Sequence, residues 1–422
     1  MRRRKAALVA SFAAVALVAS ACGFRDGDAE IDVGVTEDPC PNTPNEDNGC
    51  IYLGTISDLS EGPFAALAQP ITEAQEAFWA RVNEDGGIGG YDIDVTSFVR
   101  DNQYNPEIHN QVYRDIRDDV LALAQTLGSP QTAAILPDME GNDVIGAPAS
   151  WSSEWLFEDV ILQAGTNYCL EAMNSVDYAV DELGAESVVA VHYAGDYGDD
   201  AAGGAEIAAE ERGLDFRAVE TPPGTDNQGD AIQAVLSEDP DMVMLTTAPA
   251  DAAVVVGQTA ARGFEGTFIG SSPTWNPALL DSPAADAFEA QYLHAAPWAS
   301  WDADTPGHEA MRAELEGVTP NEGYTAGWTW SYAMREAIEQ AVEAGDLTRE
   351  GLREAAGSLE SVDYEGILPD EAGNYAGEPD DAVFRESLLN EVDTDAPTGL
   401  TLLEDFFAGP TAEQHEMTEP CF

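Results

Sequence analysis

The chain has 422 residues, enough for two or three domains, and 44% of them are hydrophobic, enough for large cores. It carries 79 Asp and Glu against 17 Lys and Arg, a net charge of −62. That balance excludes a nucleic-acid binder, which needs cations to displace counterions from phosphates, and a binder of anionic membrane surfaces.

The first elements in chain order are a leader and a tether. Met1–Cys22 has a basic start (Arg2, Arg3, Arg4, Lys5), a short apolar run from Ala6 to Val18, then small residues. The run is short for a membrane span, so the pattern predicts an export signal. Its end, Ala19-Ser20-Ala21-Cys22, resembles a bacterial lipobox, in which cleavage leaves a diacylglyceryl-modified cysteine. On that reading Cys22 is the lipidation site and anchors the protein to the outer face of the cytoplasmic membrane. Removing the leader leaves 13 cations, all arginine, and a net charge of −66. A lysine Schiff-base enzyme is thereby excluded. Residues 23–50 are polar, acidic and rich in Pro and Asn, and predict a tether closed by a small cysteine loop. Four further cysteines remain: Cys40, Cys50, Cys169 and Cys421. An even number in an exported chain points to disulfides. Of three possible pairings, Cys40–Cys50 closes a local loop and Cys169–Cys421 pins the C-terminus. No CxxC spacing supports a zinc site.

Regular patterning starts at Ile51–Ser57, a strand. Phe64, Leu67, Ile71, Ala74, Phe78 and Val82 then recur at helical spacing after Pro63. Gly86–Gly90 ends that helix; because this glycine run follows a helix and opens a strand, it is a tight turn and not a dinucleotide fingerprint. Tyr91–Val99 reads as a strand, Pro106–Asp119 as a helix, Val120–Ala124 as a strand, Pro130–Met139 as a helix and Val144–Ala147 as a strand. Ser187–Tyr193 is almost continuously apolar, as strands covered on both faces are. Helices at 199–212, 229–237 and 250–262 alternate with strands at 214–219, 242–246 and 267–269. Tyr324–Glu343 is a long helix, with Trp330, Met334, Ile338 and Val342 on one stripe. This alternation predicts an α/β fold with parallel sheets. There are too many units for one open sheet and no eightfold barrel pattern, so two doubly wound lobes are expected.

Candidate binding groups lie where ligands bind in such sheets, beyond the carboxyl ends of strands. Gly128-Ser129-Pro130 places a hydroxyl at a helix start. Ala149-Ser150-Trp151 is a second small-hydroxyl turn after a strand. Thr247 and the Ser271-Ser272-Pro273-Thr274-Trp275 run also follow strands. Trp275 is read either as a cover for an apolar ligand group or as packing. No GxSxG or HExxH occurs, and the five histidines form no local motif. His192 reads as a buried or cleft-edge side chain.

At this point a family resemblance enters. Gly54–Ala65 (GTISDLSEGPFA, which includes Ser57) resembles the opening xxSLSGPxA of branched-chain amino-acid (Leu/Ile/Val-type) solute-binding proteins of ABC importers. Asn83–Tyr91 (NEDGGIGGY) is similar to their NxxGGIxG turn, and Gly128–Ala133 to their serine loop. Tyr197-Gly198, Tyr364-Glu365-Gly366 and Phe406-Phe407 fit weaker parts of the pattern. The resemblance implies a type I periplasmic-binding-protein fold, two lobes hinged over one solute. Lobe one would take 51–163 plus 295–359, and lobe two 164–294 plus 360–422. Both ends of Cys169–Cys421 then fall in lobe two. The family's carboxylate-holding groups map to Ser129, Ala149, Ser150 and Trp151, and its lobe-two aromatic to Tyr197. Its ammonium-binding acid falls at Ser272, which is no acid, and an aromatic position falls at Leu67; Asp251 is a candidate replacement for the charge. The implied function is reversible capture of a small polar solute, an amino acid or related compound, for a membrane permease. Amides, urea-like solutes and aromatic acids stay open. The resemblance implies a monomer with no cofactor, no metal and no catalysis. A lipoprotein sensor using the same cleft is the second reading, and an exported hydrolase the third.

The charge itself makes a prediction. Acidic residues are spread along the chain, and self-repulsion of this size destabilises a compact state in dilute buffer. At about 1 M salt the Debye length is only ~3 Å, so an acidic, hydrated surface suited to saline surroundings is expected. A divalent-cation buffer is the weaker reading of the same residues. Melting temperature is expected to rise steadily between about 0.05 and ~2 M NaCl, and a flat profile by scanning fluorimetry would contradict this screening argument.

Overall fold

The computed structural model describes residues 30–41, 44–60 and 62–422. The leader, Cys22 and Glu61 lie outside the described residues. Two sheets with helices on their faces form the framework. In the first, the central strand Gly49–Ser57 pairs in parallel with Tyr91–Asp94, Val99–Asp101 and Ala122–Leu127, and the last of these pairs in parallel with Gly146–Ala149. The second sheet runs in the order Leu400–Phe407, Ser387–Val392, Tyr292–Ala296, Thr267–Gly270, Met242–Thr246, Ser187–His192, Asp215–Glu220. Five of its strands are parallel; Ser387–Val392 pairs antiparallel to Tyr292–Ala296, and Leu400–Phe407 antiparallel to Ser387–Val392. The apolar Ser187–His192 run is buried along most of its length, as both-face coverage requires. The expected α/β fold of two sheets is therefore present.

Several local expectations are corrected. The Tyr91–Val99 strand is broken, because the Asp94 carboxylate accepts from the backbone N–H groups of Thr96 at 2.8 Å and Ser97 at 2.9 Å and turns the chain there. Pro130–Met139 is two short helices, Ser129–Ala133 and Leu136–Gly141; Pro137 lacks an N–H to continue the first and suits the first turn of the second. The segment expected to be a tether is, from residue 30 onward, part of the fold. Glu30–Ile31 pairs with Asp346–Leu347, and Val35–Thr36 pairs antiparallel to the central strand. The Asn45 and Asn48 amides donate to the Asp92 carboxylate at 2.9 and 2.7 Å. Ala295 and Ala296, placed in lobe one by the resemblance, complete a strand of the second sheet. The helix Tyr168–Tyr178, the helix Arg349–Gly357 and the C-terminal hairpin had no clear periodic signal.

Both disulfides have the expected pairing, with Cα–Cα distances of 4.7 Å for Cys40–Cys50 and 6.2 Å for Cys169–Cys421. The second ties the start of the Tyr168–Tyr178 helix to the end of the chain, 252 residues on.

The helices Ala65–Glu84 and Glu322–Ala344 pack against each other on the first sheet. Their closeness depends on Gly323 and Gly327, one turn apart. A Cβ on Gly327 would stand 2.1 Å from the Ile71 carbonyl oxygen, a backbone atom that cannot rotate away. Gly327→Ala is expected to lower stability by about 1–3 kcal/mol through overpacking, read as a lower urea midpoint in high salt. Replacing Cys169 and Cys421 together by serine is expected to cost about 2–4 kcal/mol under non-reducing conditions, and an unchanged midpoint would show that the tail is held by packing alone.

Candidate functional site

Between the two sheets lies a cavity walled by residues from both. From the first sheet come Gly128 and Ser129, just past the strand Ala122–Leu127, and Ala149, Ser150 and Trp151, at and past the end of Gly146–Ala149. From the second come Tyr197, in the turn and helix after Ser187–His192, Ser272 and Pro273 after Thr267–Gly270, and His294 and Ala296 on the strand Tyr292–Ala296. These are carboxyl ends of parallel strands in both sheets, facing one space. The long helices close one side with Leu67, Ala68, Ile71, Glu322, Ala326 and Trp330.

Local hydrogen bonds set the wall. The buried Asp58 carboxylate accepts from the N–H groups of Gly62 at 2.9 Å and Phe64 at 3.2 Å, which folds the Gly62-Pro63 loop and sets the Phe64 ring. Gly128 has φ 94°, and a Cβ there would meet the Gln131 side chain at 2.1 Å, so glycine is needed before Ser129. The Asn102 amide donates to the Leu127 carbonyl at 2.9 Å and its oxygen accepts from the Tyr104 N–H at 2.8 Å, which holds the Tyr104 loop. Thr274 Oγ1 donates to the Leu245 carbonyl at 3.0 Å and therefore accepts from the Tyr197 hydroxyl at 2.9 Å; Ser271 Oγ stands 3.0 Å from the same hydroxyl. The Tyr197 hydroxyl is thus held within the second sheet's side, and burial pushes its pKa up.

The wall is mainly aromatic. Phe64 packs on Tyr104 at 4.9 Å and reaches Tyr197 across the cleft at 6.1 Å between ring centroids. Tyr197 packs on Tyr168 at 4.9 Å, and Trp151 meets Tyr168, Trp298 and Trp330 at 5.5, 5.1 and 5.1 Å. The free space among these rings is about 40 Å³.

Polar groups on the wall are few. Among the described residues no Lys or Arg lies on it, and Glu322 is its one acid. Burial raises the Glu322 pKa to about 7, against hydrogen bonds from Thr398 Oγ1 at 2.5 Å, the Trp301 N–H and Thr325 Oγ1. Burial lowers the His294 pKa to about 3, so this ring is neutral. Ser150 Oγ accepts from Trp155 Nε1 at 3.2 Å.

Of the sequence candidates, Leu67, Ser129, Ala149, Ser150, Trp151, Tyr197 and Ser272 line the cavity. Ser57, Thr247 and Trp275 do not. Ser57 Oγ accepts from Gln125 Nε2 at 2.8 Å beneath the first sheet's strand ends. Thr247 is fully buried, and Trp275 stacks on Tyr292 and donates to the Thr398 carbonyl at 3.0 Å, so packing is its role. Asp251 accepts from Gly224 N–H at 2.8 Å and from the Tyr193 hydroxyl, off the wall. His192 is also off the wall, 3.1 Å from an Asp199 carboxylate oxygen. Residues that sequence reasoning passed over are Tyr104, Tyr168, His294, Trp298 and Glu322. Phe64 and Trp330 stand in apolar repeats whose spacing marks a helix but not which of its residues reach the cavity.

The family model described as periplasmic binding protein matches residues 51–388. No curated protein sequence matches the chain. Among solved structures, a fatty acid ABC transporter substrate-binding protein from Thermomonospora curvata is similar at 27% identity, with a TM-score of 0.82 over 92% of this chain and 97% of that one. A branched-chain amino acid ABC transporter protein from Thermus thermophilus with bound valine aligns at 18% identity and TM-score 0.75, over 87% and 98%. A leucine-binding protein from Thermotoga maritima aligns at 19% and 0.70, over 85% and 98%. These last two show the shared fold. With the family pattern spanning most of its length and two lobes facing one cavity, the chain belongs to the periplasmic binding protein family, type I fold.

Proposed function

We propose that this protein is an extracytoplasmic solute-binding lipoprotein that captures a small solute between its lobes and delivers it to the permease of an ABC importer. The observation that carries this reading is the shared wall, in which Ser129, Ser150, Trp151 and Trp330 from one side face Tyr197, Ser272 and His294 from the other. Neither half-site is complete alone. A solute that touches both stabilises the closed arrangement by its differential affinity for it, which is what a hinged carrier requires. The names of the similar structures, a fatty acid carrier and a valine complex, support transport of a small organic acid or amino acid. The Leu67, Ser129, Ala149, Ser150, Trp151, Tyr197 and Ser272 set is the proposed contact surface, now joined by His294, Trp330 and Glu322.

Lobe one is proposed as 51–163 plus 297–359, together with the ordered part of the N-terminal segment, and lobe two as 164–296 plus 360–422. The leader and Cys22 supply export and anchoring; two acyl chains on one cysteine give a stable anchor, at about 0.8 kcal/mol per buried methylene. The permease and its ATPase supply the energy elsewhere, and no bond is broken in this protein.

The test is a thermal-shift screen in high salt with amino acids, organic acids, amides, sugars and polyamines. A ligand at ~100 times its dissociation constant is expected to stabilise the fold by about 2.7 kcal/mol. Tyr197→Ala is expected to abolish that shift while the protein alone still melts cooperatively. Silence across the whole panel, with no ligand-dependent compaction in small-angle scattering, would sink the reading.

A further inference from the structure

Four residues of the cavity wall carry a buried polar atom with no hydrogen-bond partner among the described residues: Ser129 Oγ, Trp151 Nε1, His294 Nε2 and Trp330 Nε1. Their side chains are almost fully buried, at 1, 4, 2 and 1% exposure. Indole Nε1 is a donor and nothing else. The His294 ring resolves the same way. Asn390 Oδ1 accepts from Ser300 Oγ at 3.3 Å, so its Nδ2 donates to His294 Nδ1 at 3.1 Å. The neutral ring then carries its proton on Nε2. The serine hydroxyl completes a set of four groups able to donate. Unpaired donors in a buried apolar site are costly, and they define by complement what should sit there.

Among the described wall residues no free acid answers an ammonium group. An ammonium group needs acceptors, and the one carboxyl among those residues, Glu322, is already held by Thr398, Thr325 and the Trp301 backbone. Burial also makes that carboxyl easy to hold neutral beside an anion, with a pKa of about 7. Ser272 stands where the resemblance places an ammonium-binding acid. A carboxylate, by contrast, is acceptor-only and offers about four lone-pair sites.

We infer that the cleft takes a largely apolar or aromatic carboxylic acid without an ammonium group, its carboxylate received by the indole, imidazole and hydroxyl donors and its body by the ring wall. This rests on the solute-binding reading above and narrows it. The donors are neutral, so the anion is held by oriented N–H and O–H dipoles and not by a counter-cation.

The experiment is titration calorimetry on the whole folded protein in ~2 M NaCl, where the protein's own negative field is screened. The probes are matched series on two skeletons: hydrocinnamate, phenylalanine, hydrocinnamamide and phenethylamine; and isocaproate with leucine, extended by octanoate. An acid is expected to bind at least about ten-fold tighter than its matched amino acid or amine. Trp151→Phe and Trp330→Phe keep the ring and remove one donor each, and each is expected to weaken the acid about ten-fold with the unliganded melting temperature unchanged. Tighter binding of leucine, phenylalanine or the amine overturns the inference, as does full acid affinity in both indole variants. Binding of a sugar or polyamine with all acids silent overturns it too but leaves the carrier function standing. Silence from every solute overturns both.

Discussion

Trp151 follows the strand Gly146–Ala149 and packs against three rings brought by three other stretches of chain: Tyr168, Trp298 and Trp330. Tyr168 opens a helix, Trp298 lies just past a strand of the second sheet, and Trp330 belongs to the helix that packs on the first. The ring cluster therefore forms where the chain passes between the sheets. Tilted and edge-on aromatic pairs contribute about 0.5–1.5 kcal/mol each beyond their buried area. Such a cluster packs one side of the cleft with rings from both sheets' surroundings. The same indole keeps an N–H without a partner, so the group at the centre of the cluster also has a hydrogen bond to offer a solute.

The surface and the cleft follow different electrostatic rules. Several arginines make ion pairs away from the wall. Arg81 binds Glu365 through two bonds of 2.9 Å, Arg117 holds Asp138, and Arg353 meets Asp143 at 2.7 Å. These pairs are only partly buried and still reach solvent, so each adds little stability. Among the described residues the cleft wall has no cation and a single acid, Glu322, whose carboxylate accepts hydrogen bonds from its own neighbours. On the proposed binding site, selection would fall to donor geometry and ring packing, which salt screens far less than surface charge.

Close packing links the wall to the fold. Leu67 and Ile71 lie on one helix and Glu322, Ala326 and Trp330 on the other, and the two helices meet where Gly323 and Gly327 leave room for the Leu67 and Ile71 carbonyls. The glycines that bring the helices together thus also place five wall residues. Cys169 sits similarly close to function, next to Tyr168 and across from Gly204, whose missing Cβ makes room for the Cys169 carbonyl oxygen.

Much of the framework was legible from periodicity. Helices at 65–84, 196–212, 249–260 and 322–344, and strands at 187–192 and 242–246, follow repeats that local physics enforces over many residues. The serine turns at 129 and 150 were legible because they follow strands, at the ends where ligands bind in parallel sheets. The broken strand at Asp94 was not, since one carboxylate capturing two N–H groups overrides β-propensity. Nor was the incorporation of residues 30–50, whose polar composition conceals pairings made with residues 346–347 and the central strand. Sequence by itself determined the two-sheet α/β class, the acidic envelope, the even cysteine set and the strand-end loops, because each depends on composition or short-range spacing. Only tertiary structure decided which of those loops share a cavity, why Ser57, Thr247 and Trp275 stay outside it, and that Trp330, Tyr168 and His294 belong to it. Those outcomes depend on distances between residues far apart in the chain, and no local pattern encodes them.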